Sequence, residues 1–255
     1  MSQKSEFKKG FLALIILFIG TGLSAIAGFT TKIVIARHTS PEVFGNYSTI
    51  LTTITTLAPL CGFGISQYWL KVFGQHGAYG LVWVKHSLIF VTFSTITIFI
   101  TLLVWFNLTL DNSYLILTAC ILSFVVFNNV GAELFNSTLQ LEGKYYLLSI
   151  WQLFQSSFLL ISILILIYLF NQPLDELNIS LTQGSISLLI AILLIPLILK
   201  FIKGQYAKTT KDKLLQYQKD YSPDIIKIIK EAAPFGVAGL FYLIYYQFGV
   251  VFVRQ

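Results

Sequence analysis

Charged residues are scarce in this sequence. Only 11% of the 255 residues are Asp, Glu, Lys or Arg, whereas hydrophobic residues make up 56%. Soluble globular domains carry about 25% charged residues, so the composition excludes an ordinary soluble domain. It indicates a chain that lies mostly in lipid, long enough for roughly six or seven spanning helices of about 20 residues each.

Residues that perform catalysis or bind metals are equally few. The two cysteines, Cys61 and Cys120, lie inside apolar stretches, where a small buried side chain is the usual interpretation. The three histidines are far apart, and the sequence contains no nucleophile elbow, phosphate-binding glycine loop or metal-ligand motif. We therefore expect no enzyme activity, no metal, no cofactor and no nucleic-acid partner.

Long apolar stretches alternate with short polar connections. A window of about 19 residues, which is suited to detecting membrane spans, gives the candidate spans 11–36, 45–69, 86–107, 113–139, 147–170, 181–202 and 232–253. The sequence thus predicts an all-α membrane protein, a polytopic helical bundle with about seven transmembrane helices.

Basic residues are distributed unequally between the two sides of these spans. If the N-terminus is cytoplasmic, fourteen of the 17 Lys and Arg residues fall on the inner side, and only Lys32, Arg37 and Arg254 fall on the outer side. Cytoplasmic loops of membrane proteins carry an excess of Lys and Arg. The asymmetry therefore predicts a cytoplasmic N-terminus.

Two neighbouring spans carry an unusual number of polar side chains. The residues concerned are Asn129, Glu133, Asn136 and Gln140 in the fourth span, and Gln152 and Gln155 in the fifth. Spacings of four, three and four residues place the first four on one helix face. Hydrogen bonds between helices would explain each amide singly. As a set, they predict a shared hydrophilic cavity, because a polar stripe that deep in lipid is otherwise costly.

Four basic residues lie at the ends of spans. Lys32 and Arg37 close the first span, while Lys85 and His86 open the third. Such side chains commonly extend to the lipid headgroups. The functional alternative is a cationic lining that meets a substrate phosphate.

Small residues and helix breakers mark two further features. Gly20, Ser24 and Gly28, four residues apart, predict a close contact between helices. The second span contains Pro59, Gly62 and Gly64, and the last contains Pro234, which are the hinge candidates. Helices weakened in this way suit transporters that change conformation, but a static bend remains an equal alternative.

A short repeat suggests how the chain is organised. KIVIARH (32–38) resembles GVVFVRQ (249–255), and each copy closes a span that runs outward from a lysine-bearing segment. Transporters often consist of two such repeats. We therefore expect a six-helix transmembrane bundle at 1–203, a basic cytoplasmic loop with an interfacial helix at 204–231, and the first helix of a truncated second bundle at 232–255.

Three turn-like segments carry a resemblance to a known family. ARHTSPEVFGNYS (36–48), LQLEGKYYLLS (139–149) and IIKEAAPFGVAGLFY (228–242) resemble segments of the polysaccharide exporters in the multidrug/oligosaccharidyl-lipid/polysaccharide superfamily. O-antigen and capsule-unit flippases belong to that family. The resemblance implies two six-helix bundles and outward movement of undecaprenyl-diphosphate-linked sugar units by alternating access. Its implied partners are that lipid-linked substrate, membrane lipids and other membrane proteins of polysaccharide assembly.

Other functions remain open from the sequence. A drug/cation antiporter of the same superfamily would rely on a buried carboxylate, and Glu133 is the sole carboxylate well inside a predicted span. A seven-helix receptor or light-driven pump matches the number of spans but not the predicted orientation. A membrane-embedded glycosyl- or acyltransferase would need clustered Asp, Glu or His at one membrane face.

The predicted orientation can be tested directly. We expect an epitope tag fused to the N-terminus to be protected from protease added outside intact spheroplasts and to be digested after lysis. Digestion of the tag in intact spheroplasts would contradict the orientation.

Overall fold

Helices make up nearly all of the structure that this computed structural model describes, which comprises residues 3–169, 174–207, 209 and 224–252. Within these residues no strand is present. The α-helices are α1 (Gln3–His38), α2 (Pro41–Gly62), α3 (Ile65–His76), α4 (Leu81–Thr109), α5 (Ser113–Leu122), α6 (Val125–Leu141), α7 (Tyr145–Tyr168), α8 (Glu176–Ala207) and α9 (Ile225–Phe252).

Five segments of the described chain are long and apolar enough to cross a membrane. They are Phe11–His38, Pro41–Thr109, Ser113–Leu141, Tyr145–Tyr168 and Glu176–Ala207. The second segment has 69 residues and contains two of the predicted spans, in α2–α3 and in α4. A 3₁₀ turn at Gly77–Gly80 separates α3 from α4. The all-α polytopic membrane fold predicted from the sequence is confirmed.

Local sequence explains where several helices begin. The Ser40 side chain accepts a hydrogen bond from the Val43 amide at 3.3 Å, and Pro41 occupies the first turn of α2. Asn112 caps α5 through the Tyr114 amide at 2.9 Å. Side-chain oxygens at these positions satisfy amide groups that the first helical turn leaves free.

Two predicted spans are interrupted. The second breaks between α2 and α3, where Phe63 (φ 38°) and Gly64 (φ 78°) adopt left-handed conformations. The fourth breaks at 123–124, between α5 and α6. There the Ser123 hydroxyl donates to the Ala119 carbonyl at 2.7 Å, a pattern that bends helices. The first break lies among the hinge candidates Pro59, Gly62 and Gly64.

The helices pack into a bundle with one loosely attached pair. Helix α2 packs on α4 and α6, α3 packs on α6, and α8 packs on α5 and α6, while α1 packs mainly along α7. The largest buried side chains include Tyr68 and Trp69 of α3. The Trp69 indole donates a hydrogen bond to Ser87 of α4 at 2.8 Å. The α1–α7 pair therefore leaves room for a cavity on its inner side.

Helix α9 is continuous across the boundary predicted between an interfacial helix and a last span. It begins at Ile225 and extends to Phe252, with Pro234 exposed within it. Ile228 and Ala232 are fully buried against the bundle. Most of the predicted basic loop, residues 210–223, and the end of the predicted repeat with Arg254 lie outside the described residues.

Glycine at position 184 permits the closest approach of α8 to α5. A Cβ at Gly184 would lie 2.5 Å from the Ile121 carbonyl oxygen. We expect Gly184→Ala to destabilise the protein by about 1–3 kcal/mol, as overpacked cores do, and to lower the midpoint of thermal unfolding in detergent.

Gly22→Ala is the matched control, because nothing lies within 4 Å of the position of its Cβ. An unchanged midpoint for the Gly184 variant, or an equal loss for both, would contradict the packing interpretation.

Candidate functional site

A polar cavity of about 440 Å³ lies between α1, α2, α6, α7 and α8. We call it the central cavity. Its walls include Gly28, Thr31, Lys32 and Ile35 of α1; Tyr47, Leu51, Thr55, Ala58 and Pro59 of α2; Asn128, Asn129, Ala132, Glu133 and Asn136 of α6; Gln155, Ser156 and Leu159 of α7; and Gln183 of α8. Five helices of an apolar bundle thus present polar atoms to one space.

Two smaller cavities share walls with the central cavity. The Ser187 cavity, about 290 Å³, adds Thr52 and Ser187 and shares Lys32 and Gln155. The Gly236 cavity, about 270 Å³, lies between α2, α3, α6 and α9. It shares Pro59, Glu133 and Asn136 with the central cavity and adds Ser66, Gln67, Ser137 and Gln140. Together the three cavities follow the polar face of α6 from Val125 to Gln140.

The site contains two opposite charges that do not pair with each other. Lys32 and Glu133 both line the central cavity, yet neither has a hydrogen bond or ion pair within the described part of the chain. Both residues are exposed, and both lie in segments apolar enough to cross a membrane, where a charge is costly unless it meets water, a ligand or another charge. The arrangement therefore indicates a hydrated cavity that can receive a polar ligand.

Hydrogen bonds connect the cavity walls to one another. The Gln155 amide on α7 donates to Asn128 Oδ1 on α6 at 3.3 Å. On the opposite side, Tyr47 of α2 donates through its hydroxyl to Gln183 Oε1 of α8, and Asn46 donates to Glu176 Oε1 at 3.1 Å. These contacts tie α2 to α8 next to the cavity.

Most of the residues predicted for the site are brought together. Lys32, Asn129, Glu133, Asn136 and Gln155 line the central cavity, and Gln140 lines the Gly236 cavity.

Four predicted residues lie elsewhere in the described structure. Arg37, Lys85, His86 and Gln152 do not line any of the three cavities. Gln152 accepts a hydrogen bond from the Thr21 hydroxyl of α1 at 3.0 Å. It therefore makes a hydrogen bond between helices, which was the alternative to a place in the cavity. Arg37 and Lys85 are exposed, and the buried Nδ1 of His86 has no hydrogen-bond partner among the described residues.

The contact between α1 and α7 forms the wall on which Gln152 lies. A Cβ at Gly20 would lie 2.5 Å from the Cβ of Ser149, and the hydroxyls of Ser24 and Ser156 are 2.7 Å apart. The predicted close contact is confirmed at Gly20 and Ser24. Gly28 has no atom within 4 Å of the position of its Cβ and lines the cavity instead.

The hinge candidates are distributed between the cavity and the α9 contact. A Cβ at Gly62 would lie 3.2 Å from Glu133 Oε2. A Cβ at Gly64 would lie 2.5 Å from the Gly236 amide nitrogen, and one at Gly236 would lie 2.9 Å from the Phe63 carbonyl oxygen. The α2–α3 break is therefore packed, backbone against backbone, on α9.

Among the cavity residues that sequence reasoning missed are Tyr47, Asn128 and Gln183. Gln183 could have been found as an amide inside the apolar stretch of α8. Asn128 is adjacent to Asn129, but it does not share the spacing of four, three and four residues that placed the predicted polar side chains on one face of the helix. Tyr47 carried no signal, because tyrosine near a span end is common.

A family model described as polysaccharide biosynthesis protein matches residues 13–254. The chain belongs to this polysaccharide biosynthesis protein family. No curated protein and no solved structure matches the chain. The matched range includes the residues of the central cavity and α9 alike in this multi-pass membrane protein.

A hydrated cavity can be distinguished from a dry one by cysteine labelling. In a Cys61→Ala, Cys120→Ala background, we expect Asn129→Cys to react with a charged, membrane-impermeant thiol reagent. The adjacent Val130→Cys should react at least about tenfold more slowly, because Val130 lines an apolar cavity behind α6 and thiolate formation needs a polar, accessible environment. Equal labelling of the two positions would contradict a wet central cavity.

Proposed function

We propose that this member of the polysaccharide biosynthesis protein family moves lipid-linked oligosaccharides across the bacterial cytoplasmic membrane. The substrate class is an undecaprenyl-diphosphate-linked unit of O-antigen or capsule type, carried outward by alternating access. This is transport rather than catalysis. Support comes from the family match over residues 13–254 and from a polar cavity inside a lipid-embedded bundle.

The observation that carries the proposal is the unpaired Lys32, which lines both the central cavity and the Ser187 cavity. A diphosphate needs a cation, and sugar hydroxyls need amide and hydroxyl partners. Lys32 supplies the cation, while Asn128, Asn129, Gln155 and Gln183 line the same space. An ammonium–phosphate contact is a charge-assisted hydrogen bond, roughly twice as strong as a neutral one.

Movement requires an element that can adopt two arrangements. Pro59, in the last turn of α2 before the break, lines both the central and the Gly236 cavities, and Gly64 at the break lines the Gly236 cavity. The break also packs on α9 through Gly64 and Gly236. We propose that this break is the hinge, which lets the bundle at 1–203 change shape where it contacts α9, the first helix of the second bundle. The N-terminus is cytoplasmic in this arrangement.

A drug/cation antiporter is the second candidate, favoured by the unpaired Glu133 in the cavity. The two candidates differ in cargo. A flippase moves a lipid-linked sugar between leaflets, whereas an antiporter moves a soluble organic cation into or out of a vesicle. Assays of both cargoes on one preparation separate them.

The experiment uses the full chain in vesicles that contain a fluorescent polyprenyl-diphosphate oligosaccharide and an impermeant quencher outside. We expect the protein to accelerate exchange of the lipid between leaflets. Lys32→Gln should slow this exchange by about 10-fold or more, since a hydrogen bond to a charged group is worth about 1.5–3 kcal/mol.

Lys71→Gln is the matched control, because Lys71 is exposed and does not line the three cavities of the described structure. Exchange at the rate of protein-free vesicles would refute the proposal. Equal losses in the two variants would remove Lys32 from it.

A further inference from the structure

The apolar cavity behind α6 opens sideways at the surface of the bundle. It has a volume of about 470 Å³ and lies between α4, α6 and α8. Its floor consists of buried side chains, such as Leu134 of α6 and Leu194 of α8. Its rim is open, because Ile96 of α4 is 47% exposed and Ile192 and Ile195 of α8 are each 58% exposed. Since these helices belong to segments apolar enough to cross a membrane, a hydrocarbon chain can enter the cavity from the lipid.

The lining of this cavity suits such a chain and not a polar ligand. Among the described residues that form it, only Thr92 and Thr95 have polar side chains. The Thr95 hydroxyl already donates to the Val91 carbonyl at 2.7 Å. Water needs several polar partners to occupy a cavity, and apolar cavities instead take up apolar molecules. The occupant is therefore hydrocarbon.

The length of the cavity matches one leaflet of a bilayer. Its lining extends from Leu88 to Ile96 along α4 and from Leu188 to Leu199 along α8. At 1.5 Å per residue, these two stretches are about 12 and 17 Å long. Half of a hydrocarbon core of about 30 Å is about 15 Å. A phospholipid acyl chain fits this length, whereas an undecaprenyl chain is longer than one leaflet.

Two lysines lie one helical turn beyond one end of the cavity. Lys85 precedes Leu88 by three residues, and Lys203 follows Leu199 by four. These spacings place each lysine on the same helix face as the lining residue, and both lysines fall on the inner side of the predicted topology. Both are exposed, and neither has an ion pair or hydrogen bond within the described part of the chain. This end of the cavity therefore presents two free positive charges.

Packing fixes the two helix segments that carry these lysines. On α4, Ser87 accepts the hydrogen bond of the Trp69 indole at 2.8 Å. On α8, Phe201 is buried, and its ring meets the ring of Phe73 of α3 edge-on, with the centroids 5.7 Å apart. Sites built on packed helices are more precise than sites built on loops. The lysines are thus held at the end of the cavity by the core of the bundle.

We propose that the apolar cavity binds one anionic phospholipid, with an acyl chain between α4, α6 and α8 and the phosphate at Lys85 and Lys203. Basic pockets between membrane helices on the cytoplasmic side bind anionic lipid headgroups. The proposal does not rest on the cargo, because α6 separates this cavity from the central cavity and the phospholipid stays bound. Binding of the phospholipid and exchange of the lipid-linked sugar are measured separately, so each can fail while the other holds.

The test measures lipid binding to the purified full chain in detergent by native mass spectrometry. The probes are phosphatidylglycerol and phosphatidylcholine with the same acyl chains, so that they differ only in headgroup. We expect one phosphatidylglycerol to bind more tightly than phosphatidylcholine. Lys85→Gln and Lys203→Gln should each weaken phosphatidylglycerol binding by about fivefold, the contribution of one lysine near an anionic headgroup. Binding of phosphatidylcholine should not change.

Lys200→Gln is the matched control for charge. It removes the same charge from an exposed lysine of α8, but no residue three or four positions away from it lines the cavity. It should bind phosphatidylglycerol like the unchanged protein. Ala191→Phe places a ring inside the cavity and should weaken binding of both lipids. Leu193→Phe, at an exposed position outside the cavity, should not.

Equal affinities of the unchanged protein for the two phospholipids would overturn the proposal. So would equal losses in Lys200→Gln and in the Lys85 and Lys203 variants. Displacement of phosphatidylglycerol by an equimolar amount of undecaprenyl phosphate would also contradict it, because the cavity would then hold the lipid tail of the cargo. A lipid-free dimer that Ala191→Phe dissociates would assign the cavity to a second copy of the chain instead.

Discussion

Polar groups that face the interior of a lipid-embedded bundle can be satisfied only by one another, by water or by a ligand. The polar side chains of this bundle fall into two groups, those that bond to the backbone of their own helix and those that face the cavity. Thr53, Thr55 and Thr56 return their hydroxyls to carbonyls of the preceding turn of α2 at 2.7–2.9 Å. The side chains of Lys32 and Glu133 form no such bond within the described part of the chain and line the cavity instead. They therefore depend on water or a ligand in the cavity for polar partners.

Close contacts between backbones hold the walls of that space. Lipid tails are as apolar as the side chains, so helices in a membrane associate mainly through tight packing and hydrogen bonds. Gly20 permits this against Ser149, Gly184 against Ile121, and Gly64 against Gly236. Each contact joins helices that are far apart in sequence. The walls are consequently fixed at glycine positions, while the polar residues between them remain free to meet a ligand.

The sequence allowed the fold class and much of the site to be predicted, for identifiable reasons. Helical periodicity placed Asn129, Glu133, Asn136 and Gln140 on one face, and the structure brings all four to adjoining cavities. Periodicity carries no information on which helices meet. The opposing residues Tyr47 and Gln183 were therefore missed, and Gln152 was grouped with the cavity although it bonds to Thr21. Local pattern did indicate the first break, which lies among Pro59, Gly62 and Gly64, but it gave no sign that Gly64 packs on Gly236 of α9.

Helix α6 alone separates a polar cavity from an apolar one. On one side it presents Asn129 and Glu133 to the polar cavity, and on the other it presents Val130 and Leu134 to an apolar cavity of about 470 Å³ shared with α4 and α8. Leu194 of α8 packs closely against α6 on that second side, since a Cβ on Gly131 would lie 3.3 Å from its Cδ1. The helix is thus a partition: one face meets a polar space that can take up water, and the other meets an apolar space of the kind that stays dry.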